Sequence, residues 1–265
     1  MAMSYRYTPQ EWEALTDKRV ETFNSSKFAV PDGFEGCAVC RNKRLVASRR
    51  GGGQESSFML GSCTCRDMIA RADEMKRSGM EKLLMQCGFE NFLVRAPWQK
   101  ALLDKVHSCL DTTKWLLLCG QSGSGKTHLA VALCRELIAR GEKVRYMSWP
   151  TAVRSLCAAV FDSDRLEQQL KPYRDAPVLF IDDLFKTRLN SDGVPEVGRQ
   201  ELDLAYSLID HRYVHGKRTL ITCEVSSGKL QKVSEALTGR ILEKAGAFVQ
   251  NITPAPDRNW RTKTA

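Results

Sequence analysis

The sequence predicts an α/β protein: a five-stranded parallel sheet with helices on both faces, preceded by a small cysteine-bearing module and a helical linker. Three observations carry this. After Pro97, short apolar runs alternate with amphipathic stretches, the pattern of strands joined by crossover helices. A glycine-rich turn separates the first of those runs from a helical pattern. Ahead of both, Cys37, Cys40, Cys63 and Cys65 cluster, while the other six cysteines stand singly.

Residues 1–66 form the first predicted domain. Their first half is polar with sparse aromatics and predicts one short helix near Pro9 to Arg19. The second half holds the cysteines around a basic middle, with Gly51-Gly52-Gly53 as a loop tip. Residues 67–96 read as a helical linker, broken at Ser78-Gly79. Residues 97–265 supply five candidate strands: Trp115–Cys119, Val144–Met147, Val178–Ile181, Thr219–Thr222 and Ala247–Ile252. Helical patterns lie at Gln99–Leu110, Thr127–Arg140, Pro150–Val160, Pro195–Val214 and Glu235–Lys244. Gly141 and Gly216 fall where helix C-caps are wanted.

Composition narrows the class. Of 265 residues, 43% are hydrophobic and 27% charged, the balance of a globular protein. Forty Lys and Arg against thirty-one Asp and Glu leave a net charge of +9, which favours a polyanionic partner. No apolar run approaches a membrane span, and the stretch from Met1 to Glu11 has no apolar core for a signal peptide. Membrane and secreted classes are excluded on this reading, and a cytoplasmic location is expected.

In a reducing compartment the cysteine cluster reads as a metal site. Two close pairs, Cys37/Cys40 and Cys63/Cys65, are separated by 22 residues. Four thiolates close a tetrahedral Zn²⁺ site and leave no open position, so the metal is structural. A ribbon with so little apolar content would take its folding energy from the metal. Arg41, Lys43, Arg44, Arg49 and Arg50 between the pairs form either a solvated surface or a nucleic-acid contact. The single cysteines, Cys87, Cys109, Cys119, Cys134, Cys157 and Cys223, are expected to pack as small hydrophobes.

The segment Gly120-Gln121-Ser122-Gly123-Ser124-Gly125-Lys126-Thr127 fits G-x-x-x-x-G-K-[ST] between an apolar strand and an amphipathic helix, with His128 next in line. Its glycines permit positive φ and bring backbone N–H groups to phosphate oxygens. Lys126 reaches the β- and γ-phosphates, and the Thr127 hydroxyl ligates Mg²⁺. Val178-Leu-Phe-Ile-Asp182-Asp183 ends a buried strand on an acidic pair, at the sheet edge where such folds place ligands. There Asp182 would hold Mg²⁺ and Asp183 would orient the attacking water.

The order of cysteine pairs, phosphate loop and Phe-Ile-Asp-Asp strand resembles phage and prophage helicase loaders of the DnaC/DnaI type, a group of AAA+ ATPases. Gly88-Phe-Glu-Asn-Phe92, Pro97-Trp98-Gln99, Val144-Arg-Tyr-Met147, Ile181-Asp-Asp-Leu-Phe-Lys186, Leu208-Ile-Asp-His-Arg-Tyr213, Leu237-Thr-Gly-Arg240-Ile and Asn259-Trp-Arg261 are similar to stretches of that group. The resemblance implies ATP and Mg²⁺ at the loop, with Zn²⁺ in the N-terminal module. It also implies binding to a replicative DNA helicase and single-stranded DNA, and self-assembly into an open ring or spiral. It gives Arg240 the role of completing a neighbour's ATP site, and makes Thr222 or Glu224 the sensor of the γ-phosphate. Asp183 stands where AAA+ ATPases usually carry glutamate, which implies slow, partner-stimulated hydrolysis. The thirteen residues after Ile252 predict a core without a helical lid, leaving Arg258 or Arg261 to replace its arginine. Lys186, Arg188, Arg199 and Arg212 would face a ring interior, stay solvated, or pair within the chain. A transposase helper of the IstB kind shares the core but usually lacks the cysteine cluster. A small-molecule P-loop kinase leaves that cluster, the Arg240 position and the basic surplus without a role.

Overall fold

The computed structural model describes residues 7–26, 41, 45–63, 73–74 and 76–259. It divides into two units, Met1–Asp73 and Glu74–Ala265.

In the first unit, helix α1 (Pro9–Ser25) starts at a Thr8 N-cap that forms a capping box with Glu11. It packs on an antiparallel hairpin, β1 (Leu45–Arg50) and β2 (Ser57–Ser62), whose turn contains Gly51-Gly52-Gly53. Asn24 exchanges two hydrogen bonds with the Ala47 backbone (2.9 and 3.0 Å), and the Trp12 indole donates to the Ser56 carbonyl (2.9 Å). Arg49, in the basic stretch, pairs with Glu13 and Asp17. Cys63 follows β2 and is buried. Cys37, Cys40 and Cys65, the other three predicted zinc ligands, lie outside the described residues, as does Arg261.

In the second unit, the apolar runs become β3 (Leu116–Gly120), β4 (Val144–Ser148), β5 (Val178–Asp182), β6 (Arg218–Cys223) and β7 (Val249–Ile252). They form one parallel sheet in the order β4-β5-β6-β3-β7. Alternate residues feed two cores. Leu117, Cys119, Leu179, Ile181 and Ile221 face one side; Leu116, Leu118, Phe180 and Leu220 face the other.

Helices cover both faces: α2 (Glu81–Gln86), α3 (Pro97–Ser108), α4 (Lys126–Ala139), α5 (Trp149–Ala158), α6 (Ser163–Asp175), α7 (Arg199–Val214), α8 (Ser227–Val233) and α9 (Glu235–Ala245). Residues 74–96, read from sequence as linker, fall in the second unit, with Met80 and Leu84 buried against Leu102 and Leu133. Helix α7 starts at Arg199 rather than Pro195, because Pro195 pairs with Leu189 across the preceding loop. Cys109, Cys119, Cys134 and Cys223 are buried free thiols, and burial pushes the Cys134 pKa up. Among the described residues, no helix is long and apolar enough to cross a membrane.

Arg212 pairs within the chain. It is fully buried on α7 and donates to the carbonyls of Tyr173, Arg174, Ala176 and Arg218 and to the Thr219 hydroxyl. Three of those carbonyls belong to the C-terminal end of α6, where the helix has no internal donors left. Arg199 instead stays solvated, 3.9 Å from Asp203.

Candidate nucleotide site

The parallel strands all point one way, so Gly120, Asp182 and Cys223 end at the same edge of the sheet. At this edge the chain turns from β3 into α4 through residues 121–125. Gly120 and Gly125 have φ of +138° and +90°; a Cβ on Gly120 would lie 2.5 Å from the Ile252 carbonyl oxygen, and one on Gly125 2.7 Å from the Phe92 ring. Only glycine fits both demands. Ser124 is buried and its hydroxyl donates to the Gln121 carbonyl (2.8 Å), fixing the curve from inside. Lys126 is also buried, and its ammonium donates to the Gly120 and Gln121 carbonyls at 2.7 and 2.8 Å. Burial pulls its pKa below the ordinary lysine value, against the nearby Glu224, Asp183 and Asp182 carboxylates.

Across the edge stands Asp182, buried at 8% exposure. Three hydroxyls fix it. Thr127 and Thr222 donate to Oδ1 at 2.9 and 2.6 Å, and Tyr146 donates to Oδ2 at 3.1 Å. Burial, then the Asp182 charge, pushes the Tyr146 pKa up, so the phenol keeps its proton and remains a donor. The two residues predicted to hold Mg²⁺, Thr127 and Asp182, thus meet directly although 55 residues apart in sequence. Their donors are all oxygen, which suits a hard cation that keeps several waters. Among the described residues, no group of three His, Cys, Asp or Glu side chains is placed to hold a metal ion.

Asp183 follows in a left-handed conformation (φ 59°), its N–H donated to the Thr222 hydroxyl at 2.9 Å. Asp183 borders a cavity of about 280 Å³ together with Ser122, Gly123, Lys126, Thr127 and Glu224. His128 borders the same cavity, and its ring holds the Gly88 carbonyl (2.9 Å) beside Phe92. Leu83 and Cys87 supply an apolar wall that the sequence reading placed in a linker; their i, i+4 spacing was the signal for it. Of the two predicted sensors, Thr222 is fully buried with its hydroxyl engaged by Asp182 and Asp183, while Glu224 faces the cavity. Tyr146 and Lys186, the latter paired with Asp183 and Glu224, are the site contacts that sequence reasoning did not assign.

Arg240 is not among the residues bordering this cavity. On α9 it pairs with Asp210 (2.7 Å) and lies over the rings of Tyr206 and Tyr213. Arg258 rests over Trp98 and donates to the Thr253 carbonyl. Gln121 exchanges two hydrogen bonds with the Ala255 backbone, which ties the segment after β7 to the phosphate loop.

A parallel sheet of this order, with a glycine-lysine loop facing an acidic strand end, is a P-loop core of the kind that receives nucleotide phosphates at that edge. The chain belongs to the family of IstB-like ATP binding proteins, whose pattern it matches over residues 59–246. It is 37% identical over 231 residues to the phage-like element PBSX protein XkdC of Bacillus subtilis, covering 83% of each chain. It is 25% identical over 177 residues to the replicative helicase loader DnaC of Escherichia coli, covering 63% of this chain and 66% of that one. A crystal structure of the DnaC helicase loader superposes with a TM-score of 0.52 at 23% identity, over 64% of this chain and 96% of the other. That likeness concerns the fold.

Proposed function

We propose that the protein is an ATP-dependent helicase loader: it binds a replicative DNA helicase and single-stranded DNA, and ATP binding and hydrolysis switch it between states. The observation that carries the ATP part is the direct Thr127–Asp182 hydrogen bond at the mouth of the phosphate loop. The helicase part is supported by the similarity to a protein named as a replicative helicase loader.

On this reading Lys126 leaves the Gly120 and Gln121 carbonyls and takes the β- and γ-phosphate oxygens, while the loop N–H groups and the N-terminus of α4 hold the rest. Thr127 and Asp182 would hold Mg²⁺, which when bound would supply charge neutralisation of the phosphates. Thr222 and Tyr146 keep Asp182 aimed at it. Asp183 orients the water. Arg240 exchanges Asp210 for the γ-phosphate of a neighbouring chain on assembly into an open ring or spiral. Zn²⁺ on Cys37, Cys40, Cys63 and Cys65 would shape the module that meets the helicase in the cytoplasm.

The family's own name favours one alternative, a transposase helper of the IstB kind. A pull-down against the host's replicative helicase separates the two readings. Retention that depends on ATP, and is lost in Lys126→Ala, is expected of the loader. Absence of helicase under ATP, with retention of a transposase encoded beside the gene, would transfer the switch to the helper.

A further inference from the structure

The cavity at the phosphate loop carries an electrostatic problem. Asp183 and Glu224 both border it and Asp182 stands just behind, yet it is meant to receive the most negative end of a nucleotide. Lys126 is one cation there, and Lys186 is a second. Lys186 places its ammonium 2.9 Å from Asp183 Oδ2 and 2.9 Å from Glu224 Oε1, bridging the ends of β5 and β6. The turn that puts it there is anchored. Asp183 and Phe185 both have positive φ (59° and 54°), the Leu184 N–H bonds the Thr222 carbonyl, and Phe185 is buried edge-on against Trp149. Non-glycine residues accept that backbone only where the surroundings impose it. Burial works against the Lys186 charge, but the bonds to Asp183 and Glu224 outweigh it and hold the pKa above the ordinary lysine value.

We infer that Lys186 is a positioning residue for the third phosphate: it holds Asp183 in its water-facing orientation and cancels the Glu224 charge that would otherwise repel a triphosphate. The inference rests on the ATP-site reading above. It makes Lys186 a determinant of ATP over ADP, because ADP ends before the group that meets Glu224. It also gives Glu224 a role: paired, it fixes the Lys186 ammonium.

Titrations with fluorescent ATP and ADP analogues in Mg²⁺ test this. Lys186→Met should weaken the ATP analogue on the order of tenfold, the penalty of one uncompensated carboxylate near a phosphate, and leave the ADP analogue within about twofold. Lys186→Arg should restore the preference. The double variant Lys186→Met with Glu224→Gln should regain ATP binding, since both members of the pair are then uncharged, yet remain slow in hydrolysis because Asp183 has lost its clamp. Equal losses for ATP and ADP, an unchanged preference in Lys186→Met, or no recovery in the double variant would each overturn the inference while leaving the nucleotide site standing. Failure of the unmodified protein to bind either analogue would instead remove the ATP-site reading, and the inference with it.

Discussion

Replacing Thr222 by valine removes one oxygen from the centre of the site and changes little else in shape. That hydroxyl is fully buried, donates to Asp182 Oδ1 at 2.6 Å and accepts the Asp183 N–H at 2.9 Å. A hydrogen bond to a charged acceptor contributes about 1.5–3 kcal/mol, and the Asp183 N–H left without its acceptor costs about 1–3 kcal/mol. The extra buried methyl returns about 0.8 kcal/mol. Asp182 keeps Thr127 and Tyr146, so it is loosened rather than released. The net expectation is about 3 kcal/mol, which for a unit the size of Glu74–Ala265 lowers Tm by roughly 6–12 °C. Hydrolysis should fall more than ATP binding, because Asp182, the carboxylate proposed to hold Mg²⁺, and the Asp183 amide lose one shared anchor. Differential scanning calorimetry and a phosphate-release assay on the same preparation give both numbers. A Tm within about 2 °C of the parent together with unchanged turnover would refute the claim that Thr222 organises the acidic pair.

Arg212→Met should destabilise the second unit by roughly 4 kcal/mol in urea titration, because the half-buried carbonyls at the end of α6 lose their fully buried donor; Arg212→Lys should recover only part, lacking the fork. Arg240→Ala should keep ATP binding but lose helicase- or DNA-stimulated hydrolysis. Mixing it with Lys126→Ala protein should restore some turnover, since one interface then pairs an intact loop with an intact arginine; normal hydrolysis by Arg240→Ala in the assembled state would mark Arg240 as a partner of Asp210 only. Protein purified without chelator should contain one Zn²⁺ per chain by elemental analysis, and Cys37→Ser should lose it; absence of zinc from the unmodified protein would withdraw the metal assignment.

The five strands and the phosphate loop were legible because their signals are local. An apolar run ending in a glycine-lysine turn, or in an acidic pair, is complete within ten residues. Helix α6 was not, since its Ser163–Asp175 stretch is polar and contains Pro172, which ordinarily argues against a helix interior. Its ends are secured by other means: Asp162 caps the start, and Arg212, 38 residues beyond Arg174, takes the terminal carbonyls. The hairpin β1–β2 went unread beside the cysteines, although Gly51-Gly52-Gly53 was identified as its tip. Within the site, Lys126, Thr127 and Asp182 follow from motif chemistry. Tyr146, Thr222 and Lys186 act through contacts across neighbouring strands, and strand order is not written in any one segment.

The measurement closest to the central claim is a calorimetric titration of ATP with Mg²⁺ into the unmodified protein, Lys126→Ala and Asp182→Asn, with hydrolysis followed in parallel. Lys126 is the buried ammonium at the loop and Asp182 the carboxylate facing it. Lys126→Ala should abolish tight binding, and Asp182→Asn should retain much of the affinity while losing Mg²⁺-dependent hydrolysis. Binding and hydrolysis unchanged in both variants would contradict the account and place the nucleotide, if any, elsewhere on the chain.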